Sequence, residues 1–291
     1  MATVILVRGT QESGYYSDRI TAAMASTAMQ RFQKRVMILQ TSTRLPVETI
    51  MLGSRLDAGN ISTEVMSFTD TGMDALMRRV AMGPLSHEQF SDCCINVAKN
   101  MNGFDIAGVS QMPNAEAYFL ENFNLFKELL KNASSIYDVI FILADVKGED
   151  ESKRSLVEKL EEIVNQEVVC VPQGPKVEFK AGKDAFLAVK NYDALSFFTA
   201  KAMSKAYGNK NVFPVPYNIL FKDACLKKFA ISFLYRNTTP ETYDDNSYFA
   251  ESVANLVGAL TGMDEPHLKE RMFVYRLDTT LRAQRVPLRK E

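Results

Sequence analysis

The chain has 291 residues with 46% hydrophobic and 24% charged positions, and only 14 glycines and 10 prolines, which excludes a disordered, fibrous or low-complexity protein. A chain this long buries about three quarters of the surface that it exposes when unfolded, so it can build a full core as one large domain or two small ones. Lysine plus arginine (34) almost balance aspartate plus glutamate (35), leaving a net charge of −1 and no global field for nucleic acid or an anionic membrane.

Thr3 to Val7 is β-branched and apolar, as expected of a buried first strand. A polar loop with Gly9 and Gly14 follows. Asp18 to Arg35 then places Ile20, Met24, Ala28 and Phe32 at helical spacing, and Val36 to Leu39 reads as a second strand. Helices are expected over Phe68 to Met82 and His87 to Asn100, with a strand from Phe104 to Val109. Ala115 to Lys131 aligns Phe119, Phe123, Phe126 and Leu130 on one helical face. Tyr137 to Asp145 is a β-rich run closed by a carboxylate, and the helix after it buries Leu156, Leu160 and Ile163. Three further strands are expected at Val168–Val171, Phe186–Val189 and Val212–Val215, with helices over Ala194–Tyr207, Ala224–Tyr235 and Asn246–Leu260. Strands alternating with helices predict a single doubly wound α/β domain, a mostly parallel sheet flanked by helices, over residues 1–263. Residues 264–291 form a basic extension, with seven Lys/Arg against two acids between Pro266 and Lys290. That stretch is either a solvated tail or a contact surface for DNA, a membrane or an acidic partner.

The longest uninterrupted apolar run, Val139 to Ala144, has six residues, whereas a membrane-spanning helix needs roughly 20. No cleavable signal pattern follows Val4 to Val7, so the chain reads as cytoplasmic. Cys93, Cys94, Cys170 and Cys225 lack C-x-x-C spacing and read as reduced thiols, and with only two histidines a zinc site is not expected.

Ligands of such sheets bind beyond the carboxyl ends of the strands, which directs attention to the loop GTQESGYY, Gly9 to Tyr16. Gly9 and Gly14 stand at the two glycine positions of the phosphate-binding pattern G-x-x-x-x-G-K-[ST]. Tyr15 takes the place of its lysine, Tyr16 the place of its Mg²⁺-binding hydroxyl residue, and Glu12 adds a negative charge. Without the lysine and hydroxyl, little remains to neutralise a transferring phosphoryl group.

On these residues and the strand ends after them, the chain resembles the MinD/ParA family of deviant P-loop ATPases over roughly residues 3–262. The family's second lysine, near the start of the loop, is matched by Thr10. FDIAGVSQMPNAEAYF (Phe104 to Phe119) is similar to a strand running into a Ser-Gln turn, and YDVIFILADVKG (Tyr137 to Gly148) to the Walker B strand and switch. The resemblance makes Asp145 the carboxylate that orients Mg²⁺, Gly148 the switch glycine, and Asn191 of AVKNYD the adenine reader. NVFPVPYN (Asn211 to Asn218) resembles the late strand and proline loop beside the base.

The implied nucleotide site is Gly9, Gly14, Tyr15, Tyr16, Asp145 and Asn191, with Asp145 as the Mg²⁺ ligand if ATP binds. The residues allow other roles: Asp145 as a helix cap, Asn191 as a turn residue, and Tyr15, Tyr16 and Tyr217 as packing over the strand ends. The departures imply weak or absent ATP hydrolysis and no catalytic residues. The resemblance implies a homodimeric scaffold or localisation factor with protein partners, recruited to a membrane or cell pole, and the TadZ/CpaE-type pilus-localisation proteins tolerate altered loops of this kind. The alternative is an active ATP-dependent switch with a rebuilt site, in which Arg8, Arg19 or a partner-chain arginine supplies the missing charge.

Overall fold

A computed structural model describes residues 2–10, 16–42, 47–52, 71–97, 103–109, 114–146, 151–182, 184–237 and 244–263. The first strand, β1 (Thr3–Gly9), leads into α1 (Ser17–Gln30), β2 (Val36–Gln40) and α2 (Val47–Leu52). Next come α3 (Met73–Val80), α4 (His87–Asp92), β3 (Ile95–Asn96), β4 (Phe104–Ala107), α5 (Ala115–Glu121), α6 (Phe123–Ile136) and β5 (Val139–Ala144). The remainder is α7 (Glu151–Glu161), β6 (Gln166–Pro172), β7 (Phe186–Tyr192), α8 (Ala200–Tyr207), β8 (Val212–Pro216), α9 (Ile219–Leu226), α10 (Ala230–Asn237) and α11 (Asp245–Thr261).

Eight strands form one sheet in the order β3-β4-β2-β5-β1-β6-β7-β8. All neighbours pair in parallel except the edge pair β3–β4. Side chains alternate across a strand, so β1 sends Ile5 and Val7 to one core and Val4 and Leu6 to the other. The first core packs under α1, α2, α9, α10 and α11, the second under α3 to α7, and a smaller cluster lies between β6, β7 and α8. Burial on both faces accounts for the uninterrupted apolar runs of β1 and β5, and the doubly wound expectation holds.

Several helix expectations change at their ends. The first helix stops at Gln30 rather than Arg35, because Gln33 takes a left-handed backbone (φ 53°) and the Lys34 N–H turns back to Ala28 O. The single helix expected over 115–131 is two: Asn122 leaves the helical region and its Nδ2 donates to Tyr118 O, separating α5 from α6. The expected helix over 87–100 ends at Asp92, and Ile95–Asn96 pairs antiparallel with β4 instead. That pairing lets Asn96 Nδ2 reach the buried Asp105 carboxylate at 2.9 Å, while the Tyr137 hydroxyl donates to its other oxygen at 2.7 Å. Residues 194–199 are not helical, since α8 begins only where Thr199 Oγ1 caps the Ala202 N–H. The helix expected over 224–235 is divided between α9 and α10 by Lys228 at φ 62°. Gly72 (φ 103°) begins α3, where an added Cβ would lie 2.8 Å from Gly108 O, so no other residue fits there unstrained. The Phe68 end of that expected helix and the 264–291 extension lie outside the described residues.

Candidate functional site at the carboxyl edge of the sheet

The strand order brings Gly9, Asp145 and Asn191 to one edge. Gly9 is the last residue of β1 and pairs in register with Cys170 of β6, while Asp145 directly follows β5 on the other side. Asn191 lies in β7, one strand beyond β6. Gly9, Asp145 and Asn191 therefore share the carboxyl edge, with β1 central. Glu12, Gly14, Tyr15, Gly148 and the Ser-Gln turn at 110–111 lie outside the described residues.

Tyr16 occupies the N-cap position of α1 without a capping side-chain hydrogen bond. Its half-buried ring packs against the α1-side core, and the Lys190 ammonium stands 5.7 Å from the ring centroid. Burial drives the Tyr16 phenol well above its ordinary value, against the lowering effect of Arg19, so its hydroxyl stays protonated. Burial also lowers Lys190 from the usual lysine range. Thr10 is buried at the start of the loop.

Asp18, in the first turn of α1, accepts the Arg19 backbone N–H at 2.7 Å. Burial nevertheless raises its carboxyl to about 6. Below it, the buried thiols of Cys170 and Cys225 are each pushed up to about 12 by desolvation, so neither carries a thiolate at neutral pH. None of the four cysteines forms a disulfide.

Asp145 is almost fully buried, and Lys153 of α7 places its Nζ 2.9 Å from Asp145 Oδ2 and 4.0 Å from Glu116 Oε1. The ammonium is itself buried, so this is an internal charge cluster. The sequence reading missed Lys153, although a signal was present: it falls three, four and seven residues before Leu156, Val157 and Leu160, on the buried stripe of α7. A Mg²⁺ ion on Asp145 Oδ2 would have to displace this ammonium. Thr10, Tyr15 and Tyr16 in the loop supply no side-chain cation towards a Mg²⁺–triphosphate.

Arg8 does not supply charge to the loop. Its Nε donates to Glu167 Oε1 at 2.7 Å, and Nη2 binds Lys180 O and, at 3.2 Å, Glu161, all on the β6–α7 side. Asn191 is exposed at φ 52°, beside the irregularity where β7 pairs with β8, which is the geometry of its turn reading. Tyr217 is half exposed, with Lys222 Nζ 5.8 Å from its ring centroid, rather than packed over the strand ends.

No family model matches the sequence. No curated protein matches it either. Solved structures do match the fold. A ParA family ATPase from Chlorobium tepidum superposes with a TM-score of 0.61 at 12% identity, covering 88% of this chain and 99% of that one. MinD from Aquifex aeolicus, in its complex with MinC, gives 0.58 at 12% identity over 91% and 98% of the two chains. The ATP complex of Cyanothece McdA gives 0.57 at 11% identity, again over 91% and 98%. Nearly the whole length of each is matched, and so the chain has the fold of the MinD and ParA P-loop ATPases.

Proposed function

We propose that this chain is a non-hydrolysing, homodimeric scaffold or localisation factor that keeps the MinD/ParA-like fold and recruits protein partners to a larger assembly, such as a pilus, secretion, conjugation or partition apparatus. The observation that carries this reading is the charge at the carboxyl edge. Thr10 and Tyr15 stand where the resembled family has lysines, and the buried ammonium of Lys153 already pairs with the Asp145 carboxylate. A triphosphate would meet too few cations there, and backbone N–H groups alone seldom replace a lysine. MinD in complex with MinC is a precedent for this fold as a recruiting surface. In this reading residues 1–263 form the scaffold, and the basic 264–291 stretch adds a weak DNA or membrane contact.

Calorimetric titration of the full chain with ATP and Mg²⁺, with phosphate release measured in parallel, tests the proposal. The expected result is no saturable micromolar binding and no turnover above background. Micromolar binding with Mg²⁺-dependent phosphate release, both weakened by Asp145→Asn in a variant that remains folded, would establish the ATP-dependent switch instead.

A further inference from the structure

Nine of the large hydrophobic side chains that the described residues expose lie between positions 195 and 235. They fall on the turn between β7 and α8 and on the stretch from Tyr217 through α9 and α10. β7 and β8 are neighbours, and the Tyr217 N–H bonds Tyr192 O, so the turn and the start of α9 emerge side by side.

The turn is held in place. Gln173 Nε2 donates to the carbonyls of Asp193 and Phe198, both at 2.9 Å, and Gln173 Oε1 accepts the Asp193 N–H at 2.8 Å. This clamp projects Leu195 and Phe197 into solvent at 83% and 98% exposure. α9 has the same character: of eight residues only Phe221 and Cys225 are buried, leaving Ile219, Leu220 and Leu226 outward, with Phe229 just beyond.

Exposed cations are interspersed along α9 and α10. Between Tyr217 and Asn237 the chain carries Lys222, Lys227, Lys228 and Arg236, all exposed, against Asp223 alone. The neighbouring acids are partly engaged, since Asp193 Oδ1 accepts the Leu195 N–H and Asp244 caps α11. A two-fold contact with a second copy would set this positive face against itself, with little acid to offset it.

We propose that this face docks on an anionic lipid bilayer. Leu195, Phe197 and the outward apolar residues of α9 enter the interfacial region, and Lys222, Lys227, Lys228 and Arg236 pair with anionic headgroups. Charge complementarity selects an anionic partner. Apolar side chains that project rather than line a groove, with exposed lysines and an arginine interspersed along α9 and α10, select a fluid interface over a shaped protein pocket. Among the described residues no helix is long and apolar enough to cross a membrane, so the attachment is peripheral. The inference gives the localisation role a surface and needs no nucleotide, so its failure and that of the nucleotide reading are separate results.

The test is flotation of the full-length chain, without nucleotide, with vesicles of phosphatidylcholine alone or mixed with phosphatidylglycerol. The expected result is binding to the mixed vesicles only, released at high salt. Leu195→Ser/Phe197→Ser, and separately Lys222→Glu/Lys227→Glu/Lys228→Glu, should each weaken it at least about tenfold. Both sets lie on exposed positions, and an unchanged melting temperature confirms folding. Absence of binding to mixed vesicles would overturn the proposal, as would equal binding by both variants or equal binding to neutral vesicles. A wild-type dimer that either variant dissociates would assign the face to a second copy.

Discussion

At the scale of single residues, the edge of the sheet is governed by buried charge. Asp18 titrates near 6 in the folded protein against a reference of 3.8, chiefly because burial disfavours its anion. Between those values the folded state binds the proton more readily than the unfolded state, so stability falls as pH rises through the interval. The penalty is absent below about pH 4 and complete above about pH 6, amounting to about 1–3 kcal/mol for a group this buried. Asp18→Asn is therefore expected to raise the melting temperature at neutral pH, and the difference from wild type should shrink towards pH 4. Thermal melts across that range check it, and a constant difference would mean that Asp18 is not protonated there.

Lys153 presents the opposite case. Its ammonium sits among Asp145 and Glu116 with almost no solvent, so Lys153→Met removes a buried cation from beside two buried carboxylates. The expected loss is about 3–5 kcal/mol by denaturant unfolding, and Lys153→Met/Asp145→Asn should recover much of it. A cost below about 1 kcal/mol for the single variant would show that only the lysine stem matters, as packing.

At the scale of elements, periodicity placed the helices and strands more reliably than it placed their breaks. α1 and α11 were legible because apolar residues recur at helical spacing, and β1 and β5 because burial on both faces gives unbroken apolar runs, Val4–Val7 and Val139–Ala144. The divisions at Asn122 and Lys228 carried no glycine or proline to mark them. They depend on a side-chain bond to Tyr118 O and on a left-handed lysine. Asn191 shows the same limit: the sequence offered both a turn and a base-reading role, and the described geometry is an exposed left-handed residue in β7. Asparagine tolerates that backbone and valine does not. Asn191→Val is expected to lower stability by about 1–2 kcal/mol, while Asn191→Gly stays within about 0.5 kcal/mol. Urea unfolding of the two variants distinguishes them, and an equal loss in both would show that the side chain rather than the backbone matters.

At the scale of the molecule, the sequence determined seven of the eight strands, that the sheet is mostly parallel and covered on both faces, and which loop positions carry no lysine. These properties are local: alternation, run length and residue type report burial and charge wherever the chain goes. Tertiary structure decided the pairings that cross the sequence. It set Gly9 beside Cys170 and Asp145 next to β1, turned Arg8 towards Glu167, and brought Lys153 onto Asp145. It also brought the turn at Leu195–Phe198 alongside α9, making one exposed apolar and cationic face from segments that look unremarkable separately. A buried carboxylate takes whichever cation the fold carries to it, because in a medium with little water the nearest opposite charge outweighs all others. That nearest charge is fixed by helix packing against the sheet, which no spacing within the chain encodes.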